Sequence, residues 1–293
     1  MSVIIDENAG FCWGVVRAVQ YAEKELDTGG KLYCLGEIIH NPIEIERLKK
    51  RGLETISIND LKNINGVKVL IRAHGEPPLT YKLANASGVE LIDATCPIVK
   101  KVQERIKSFF ESGYQIIIFG KKEHPEVIGL NGVCNNEAVI IRSKEEAEMV
   151  NLLEKNVIFS QTTMEKFGFK SIVDILIEKT KKAEHYSKVE LLVNDTICRS
   201  VSDRETNLEE FSKKNDIVIF VSGKNSSNGK MLFEICAKSN PQTYFIEGVK
   251  EIKTEWVDDK KKIGVTGATS TPKWVIEEVR EYILKNFYSH LIN

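Results

Sequence analysis

Three of the six cysteines are each followed at once by a predicted helix, in AGFCWGV (9–15), DATCPIV (93–99) and DTICRSV (195–201). They are Cys12, Cys96 and Cys198, and none has a second cysteine two or three positions away. Backbone N–H groups and the helix dipole favour an anion at a helix N-terminus, so this setting predicts a lowered thiol pKa. The sequence therefore contains three candidate thiolates, each in its own turn.

Two interpretations of these cysteines remain open. Most free cysteines behave as small buried hydrophobes, and the three could be unrelated core residues. Alternatively, three thiolates that meet in one crevice would repel one another unless a zinc ion or an iron–sulfur cluster lies between them. Three ligands leave one coordination position open, which favours chemistry over a structural role. The other cysteines, which we expect to fill the core, are Cys34, Cys134 and Cys236.

Three histidines also follow predicted strands, in EIIHNP (37–42), IRAHGEPP (71–78) and KKEHPEV (121–127). Their similar positions favour a shared pocket for His40, His74 and His124. Glu126 follows the third of them. A carboxyl in a partly buried pocket can hold a raised pKa and donate a proton, although a glutamate in the first turn of a helix is also simply favoured by the dipole.

Loops rich in hydroxyl and amide groups follow three further strands. GKNSSNGK (223–230) and VTGATSTPKW (265–274) each join a strand to a helix, where backbone N–H groups can bind phosphate oxygens. Neither has the Walker A order of residues. The third loop, SQTTMEKFG (160–168), holds Thr162 and Thr163, either of which could simply cap the next helix. The first two loops together predict a small anionic ligand that carries a diphosphate.

The elements that position these residues alternate along the whole chain. Continuous apolar runs predict strands covered on both faces at 67–73, 115–120, 138–142, 156–161, 216–223 and 261–268. Between them lie amphipathic patterns such as 97–113, which begins at a proline and ends at Gly113. The fold class is therefore predicted to be α/β with mostly parallel sheets. The cysteine segments repeat at long intervals, which suggests three similar α/β units.

Composition excludes several functional classes. The 293 residues are 42% hydrophobic and 28% charged, which is typical of a globular protein with a sizeable core. The 41 basic and 42 acidic side chains give a net charge of -1, so no overall field attracts nucleic acid or an anionic membrane. The sequence contains neither a signal peptide pattern nor an apolar run long enough to cross a bilayer. We expect a cytoplasmic protein.

Nine short segments follow one another along nearly the whole chain: GFCWGVVRA, HNP, RAHG, DATCP, EHPE, QTT, TIC, GKNSSN and GATSTP. In this order they resemble the LytB/IspH family of 4-hydroxy-3-methylbut-2-enyl diphosphate reductases. The resemblance implies three pseudo-equivalent α/β domains around a central cavity that holds an iron–sulfur cluster. We expect these domains at 1–97 with Cys12 and Cys96, at 98–194 with His124, Glu126 and Thr162, and at 195–293 with Cys198 and the diphosphate loops.

The resemblance also implies a role for each candidate residue. Cys12, Cys96 and Cys198 match the ligands of one 4Fe–4S cluster, whose fourth iron has no cysteine ligand and is labile. Glu126 matches the residue that delivers a proton, and Thr162 lies close to the substrate hydroxyl. His124 matches a residue that assists proton delivery through the diphosphate. The diphosphate pocket is implied for His40, His74, Ser226, Ser227, Asn228 and Ser270, and substrate binding is implied also for His124 and Thr162.

The implied reaction removes the hydroxyl of the substrate as water, by two electrons and two protons, and gives isopentenyl diphosphate and dimethylallyl diphosphate. This is the last step of the methylerythritol phosphate route to isoprenoids. The electron donor would be ferredoxin or flavodoxin, and we expect a monomer with no nucleic-acid or membrane partner. Two other functions use the same residues, namely a sensor or structural protein that holds a cluster or zinc, and a zinc-dependent hydrolase of phosphate esters.

Two positions depart from the family pattern. Val201 stands where a threonine is usual, so any hydroxyl role at that position is lost. Gly229 stands where a serine or threonine is common, and we expect it to loosen the loop without abolishing binding.

Overall fold

The computed structural model describes residues 2–183, 189–257 and 261–287, which form two compact units. Unit 1 contains the chain up to Gly30, the segment Glu37–Leu53 and the chain from Arg199 onward. Unit 2 contains Lys31–Gly36 and Glu54–Cys198. Two histidines to which the sequence assigns no role, His185 and His290, lie outside the described residues.

Strands and helices alternate along the described residues. The strands are β1 (Ser2–Ile5), β2 (Leu32–Leu35), β3 (Leu53–Ile56), β4 (Lys68–Ile71), β5 (Glu90–Asp93), β6 (Gln115–Phe119), β7 (Val139–Ile141), β8 (Lys155–Ser160), β9 (Glu190–Asn194), β10 (Ile217–Val221), β11 (Thr243–Ile246) and β12 (Lys262–Gly267). The helices are α1 (Trp13–Leu26), α2 (Pro42–Lys50), α3 (Pro78–Ala86), α4 (Pro97–Glu111), α5 (Pro125–Gly132), α6 (Lys144–Met149), α7 (Lys166–Ala183), α8 (Arg199–Lys213), α9 (Ser227–Ser239) and α10 (Lys273–Phe287).

The strands form three four-stranded sheets with parallel pairing. Sheet A contains β11–β10–β12–β1, sheet B contains β3–β2–β4–β5, and sheet C contains β7–β6–β8–β9, each in spatial order. Sheet A lies in unit 1, and sheets B and C, apart from Leu53, lie in unit 2. The predicted α/β class with parallel sheets is confirmed.

All three sheets have the same strand order. The first strand of each sheet is taken as β10, β2 or β6, and the others are numbered from it. The spatial order is then second, first, third and fourth strand in all three sheets. In sheet A the fourth strand is β1, which comes from the other end of the chain and pairs with β12. The three sheets are thus equivalent in topology.

Alternating side chains of the central strands pack into different cores. In β10, Ile217, Ile219 and Val221 join a cluster with α10, whereas Phe220 joins a cluster with α8 and α9. Central strands of sheet C alternate in the same way between clusters on the α4–α5 side and the α6–α7 side. This coverage on both faces explains the continuous apolar runs in the sequence.

The six predicted strands and the helix predicted at 97–113 are confirmed as β4, β6, β7, β8, β10, β12 and α4. The sheets do not follow the three consecutive segments 1–97, 98–194 and 195–293, because β1 pairs with β12 in sheet A. Parallel pairing requires no closeness in sequence, so the first strand can complete a sheet made by the last third of the chain. The other domain limits stay predictions.

Among the described helices, none carries the long apolar stretch that crossing a bilayer requires.

Candidate functional site

The three candidate cysteines occupy equivalent places in the three sheets. Cys12 follows β1, Cys96 follows β5 and Cys198 follows β9, and these are the fourth strands of sheets A, B and C. The backbone N–H of each cysteine donates to a carbonyl in the loop after the third strand. The acceptors are Thr269, Ala73 and Thr162, at 3.0, 3.0 and 2.9 Å.

The carbonyl that accepts each of these bonds lies two residues beyond the end of its third strand, which is β12, β4 or β8. Each cysteine is followed directly by a helix, α1, α4 or α8. Three loops of the same construction therefore present the three thiols.

The other three cysteines differ from them in burial. Cys34, Cys134 and Cys236 are fully buried, and burial raises the pKa of their thiols to about 12, 11 and 11. The three candidate cysteines remain partly exposed, and none of the six cysteines forms a disulfide within the described residues. The six cysteines are predicted to divide into core residues and turn residues, and their burial confirms this division.

In unit 2, Thr162 connects Glu126 to Cys198. The backbone N–H of Thr162 donates to Glu126 Oε1 at 2.7 Å, and its hydroxyl Oγ1 donates to Glu126 Oε2 at 2.7 Å. Its carbonyl accepts the N–H of Cys198 at 2.9 Å. One residue of the loop after β8 thus holds both the carboxyl and the cysteine turn.

Glu126 is a buried carboxyl near the start of α5, with 2% of its surface exposed. Burial raises its pKa from the ordinary 4.5 to about 7, although the two hydrogen bonds from Thr162 favour the charged form. The alternative interpretation, a glutamate in the first turn of a helix that the dipole simply favours, does not by itself explain this burial. A carboxyl in this state can hold a proton at neutral pH and release it.

The expected lowering of the thiol pKa is wrong for Cys96. Burial, with the negative charges of Cys198 and Glu126, raises the pKa of its thiol, although the N–H groups of Ile98 and Val99 at the start of α4 favour the thiolate. The helix N-terminus is a local effect, and here desolvation outweighs it.

Cys96 and Cys198 are thus close enough for their charges to interact unfavourably. A bound cation removes that conflict, because metal coordination deprotonates a thiol outright. The donor set, partly exposed thiols in turns of the same construction, fits an iron–sulfur cluster or a zinc ion.

His124 is the N-cap residue of α5, and its Nδ1 accepts the backbone N–H of Glu126 at 3.2 Å. In the neutral ring the proton therefore sits on Nε2, which becomes a hydrogen-bond donor. The ring of His74, from the loop after β4, meets the His124 ring edge-on, with centroids 5.3 Å apart. The structure brings these two predicted histidines together.

In unit 1, the loops after β10 and β12 are joined by polar side chains. The hydroxyl oxygens of Ser226 and Ser270 lie 3.0 Å apart, and Asn228 Oδ1 accepts both the N–H and the hydroxyl of Thr269, at 3.1 and 2.7 Å. Ser226, Asn228 and Ser270 are at most 9% exposed. Two of the loops predicted to bind a diphosphate thus form one polar cluster at the start of α9.

The segment that carries His40 packs against the same cluster. A side chain at Gly223 would collide with the backbone carbonyl of His40, so only glycine permits this close approach. Asn41 caps α2 through its Oδ1, which accepts the N–H of Glu44 at 3.1 Å. The sequence analysis missed Asn41, although an Asn–Pro pair before a helix is a capping signal.

Of the twelve predicted site residues, the structure gathers six in each unit. Unit 1 holds Cys12, His40, Ser226, Ser227, Asn228 and Ser270, and unit 2 holds His74, Cys96, His124, Glu126, Thr162 and Cys198.

Packing accounts for the two departures from the family pattern. Val201 is 3% exposed in the first turn of α8 and serves as a core residue. A side chain at Gly229 would collide with the hydroxyl of Ser222, which already fills that space. Ser222 and Gly229 therefore form a complementary pair.

The chain is similar to known proteins over nearly its whole length. Residues 3–284 match the family model described as LytB protein. The chain belongs to the LytB protein family. This LytB chain is 46% identical to a protein of Chloroherpeton thalassium named 4-hydroxy-3-methylbut-2-enyl diphosphate reductase, with 98% of each chain covered. A Bacteroides thetaiotaomicron protein of the same name is also 46% identical, with 97% of this chain and 98% of that protein covered.

Solved structures resemble this LytB chain over its length. One, titled as the structure of (E)-4-hydroxy-3-methyl-but-2-enyl diphosphate reductase, the terminal enzyme of the non-mevalonate pathway, has a TM-score of 0.71 and 37% identity. It covers 97% of this chain and 100% of that one. The reductase of Plasmodium falciparum has a TM-score of 0.86 at 28% identity, covering 98% of this chain and 88% of that one.

The buried carboxyl of Glu126 makes a pH-dependent contribution to stability. Below pH 4.5 it is protonated in folded and unfolded chains alike, whereas between 4.5 and about 7 only the folded chain keeps the proton. The free energy of unfolding therefore falls as pH rises, by about 3 kcal/mol across this window. Glu126→Gln should remove this fall from denaturant unfolding curves of the metal-free protein. The control Glu111→Gln, at a side chain 64% exposed, should keep it.

The pairing of Ser222 with Gly229 can be tested by exchange. Gly229→Ser alone should lower the free energy of unfolding by about 1–3 kcal/mol, because its side chain collides with the Ser222 hydroxyl. Ser222→Gly in the same chain should recover most of that loss. Equal stability of the single and double variants would contradict this account of the loop.

Proposed function

We propose that this LytB protein reduces 4-hydroxy-3-methylbut-2-enyl diphosphate to isopentenyl diphosphate and dimethylallyl diphosphate. The observation that carries the proposal is the set of bonds by which Thr162 joins the buried carboxyl of Glu126 to the turn of Cys198. A proton donor is thereby held beside a candidate redox ligand. The curated relatives and solved structures named as this reductase support the same substrate.

Three cysteines would hold the cofactor, which we propose to be one 4Fe–4S cluster with a labile fourth iron. Cys12, Cys96 and Cys198 are its ligands, as their equivalent positions in the three sheets suggest. When bound, such a cluster supplies the two electrons of the reduction and, at the iron without a cysteine ligand, a Lewis acid.

Glu126 would supply a proton to the leaving hydroxyl. The reaction consumes two electrons and two protons, breaks the C–O bond and releases water. With a pKa of about 7, Glu126 holds its proton at neutral pH and gives it up readily. The Thr162 hydroxyl, 2.7 Å from the carboxyl, can accept that proton and pass its own to the substrate. His124, with Nε2 protonated, can donate to the diphosphate.

The diphosphate would be held largely by neutral groups. Hydroxyl and amide groups of Ser226, Ser227, Asn228 and Ser270 lie at the N-terminus of α9, where the helix dipole favours an anion. The histidines His40 and His74 add ring N–H donors. In this proposal many directed hydrogen bonds bind the diphosphate, which other sites bind with a cluster of arginines.

The remaining features of the proposal concern the surroundings of the enzyme. Ferredoxin or flavodoxin would deliver electrons one at a time, and the protein would act as a cytoplasmic monomer without nucleic-acid or membrane partners.

Anaerobic purification tests the proposal directly. The expected protein is brown, contains iron and acid-labile sulfide, and converts the hydroxylated allylic diphosphate with a strong chemical reductant. A colourless zinc protein would point to the hydrolase or the structural zinc site. A brown protein without turnover would point to a sensor.

Glu126→Gln should retain the cluster and bind substrate but turn over at least about 100-fold more slowly. The amide keeps the shape of the carboxyl and can still accept the N–H of Thr162, but it cannot deliver a proton. Turnover under single-cycle conditions and substrate titration by calorimetry measure the two effects separately. Turnover near that of the wild type would remove Glu126 from the proton path.

Cys12→Ser should lower the iron and sulfide content far more than Cys34→Ser. Cys12 lies partly exposed in a turn, whereas Cys34 is fully buried in β2. Metal analysis after anaerobic reconstitution gives the comparison. If both variants lost the same amount of iron, the assignment of ligands among the six cysteines would be wrong.

A further inference from the structure

The turn that presents Cys12 begins at a buried aspartate. Asp6 follows β1 directly and is 5% exposed. Its Oδ1 accepts the backbone N–H of Asn8 at 3.0 Å, and its carbonyl accepts the N–H of Ala9 at 2.9 Å. These bonds fold the chain back toward Gly10, whose φ of +124° is a left-handed conformation, and Cys12 follows two residues later. The conformation of the Cys12 turn therefore depends on the carboxylate of Asp6.

Arg204 holds the other oxygen of this carboxylate. Its Nη1 lies 2.6 Å from Asp6 Oδ2, and only 4% of the Arg204 side chain is exposed. Its Nη2 donates to the hydroxyl of Thr266 at 2.7 Å and to the carbonyl of Gly267 at 3.1 Å. The Thr266 hydroxyl in turn donates to Asp6 Oδ2 at 2.8 Å. One guanidinium thus fixes Asp6 against the end of β12.

Arg204 also borders a cavity that Cys12 lines. Arg204 and Cys12 both line a cavity of about 290 Å³ in unit 1, together with Asn8 and Thr269. Thr269 also accepts the N–H of Cys12. Arg204 therefore holds Asp6, the residue at which the Cys12 turn begins, and it lines the same cavity as Cys12.

The turns before Cys96 and Cys198 also begin with an aspartate, but within the part of the chain that the structure describes neither of these carboxylates pairs with a buried arginine. Asp93 accepts the N–H of Thr95 at 2.9 Å, and Asp195 accepts the N–H of Ile197 at 3.1 Å. Asp93 is only half-buried and Asp195 is exposed. The buried ion pair is particular to the Cys12 turn among the three.

The Cys198 turn is held by a weaker contact of a related kind. Arg105 of α4, the helix that follows Cys96, donates to Asn194 at the end of β9. Arg105 is exposed, whereas Arg204 is buried. Arg204 lies on the helix after Cys198 and bonds to the residue after the strand that leads to Cys12. Arg105 lies on the helix after Cys96 and bonds to the end of the strand that leads to Cys198.

We propose that Arg204 is a positioning residue for the Cys12 ligand. Its guanidinium holds the Asp6 carboxylate in place, so that the turn presents the thiol in one geometry for the metal. The inference rests on the proposed function in one respect, namely that Cys12 is a ligand. A simple stabilising role is a poor alternative, because buried ion pairs add little stability compared with apolar residues of similar volume.

The test uses variants that separate stability from position. Arg204→Met leaves Asp6 buried without its ionic partner, whereas Asp6→Leu combined with Arg204→Met replaces the pair by apolar groups. The double variant should regain stability in denaturant unfolding, but not the bond from the Asn8 N–H to the Asp6 carboxylate that shapes the turn. Both variants should release iron to a chelator about 10-fold faster than the wild type, as loss of partners behind a metal ligand generally does. The electron paramagnetic resonance spectrum of the reduced cluster should also shift.

Two further variants complete the experiment. Arg204→Lys keeps the charge opposite Asp6 but loses the paired bonds to Thr266 and Gly267, and it should release iron at an intermediate rate. The control is Arg47→Met, which breaks a 2.5 Å ion pair with the buried Glu44 elsewhere in unit 1. Arg47→Met should lose stability yet release iron at the wild-type rate.

Wild-type iron release and an unchanged spectrum in both Arg204→Met and the double variant would overturn the inference. Faster release in Arg47→Met as well would do so too, because stability alone would then explain the effect. A wild-type protein that holds zinc instead of iron and sulfide would reject the proposed reductase. Zinc release from the same variants would still decide the role of Arg204.

Discussion

The hydrogen bond from each cysteine N–H to the loop after the third strand is the constraint on which the candidate site depends. It ties the end of the fourth strand to the loop of its neighbour, so a thiol and a polar loop are fixed together in each sheet. In sheet C the loop residue is Thr162, which also holds Glu126. In sheet B it is Ala73, next to His74, and in sheet A it is Thr269, next to Ser270. The same backbone bond occurs in all three sheets, and in each it places a loop with different polar residues beside a cysteine turn.

Burial then decides how these groups behave. Desolvation by burial raises the pKa of both Glu126 and Cys96. For the carboxyl this brings the pKa close to neutral pH, which suits a proton donor. For the thiol it opposes ionisation, so the thiolate needs a cation. The same physical effect therefore acts on the candidate proton donor and on a candidate metal ligand.

Much of this arrangement could be predicted from sequence because its signals are local. The central strands are apolar on both faces, and the turns before α1, α4 and α8 each carry a cysteine, so their existence and type follow from short segments. The pairing of β1 with β12 could not be predicted, since nothing in a short apolar strand specifies a distant neighbour. The prediction of a lowered Cys96 pKa failed for a similar reason, because the burial that raises this pKa, and the charges of Cys198 and Glu126 that add to it, depend on distant segments. The ion pair of Asp6 with Arg204 likewise joins residues with no shared local pattern.

Because β1 lies at the edge of sheet A, the order of translation determines when this sheet can be completed. The first strand leaves the ribosome early, but its neighbour β12 ends at Gly267, near the other end of the chain. Until that segment is made, the Cys12 turn lacks both its strand partner and the carbonyl that accepts its N–H. Sheets B and C have no such delay, because all of their strands are complete by Asn194. Of the three candidate thiols, the first in the chain is therefore the last to reach its final conformation, and a cofactor held by all three, as proposed, could bind only after Thr269 has been made.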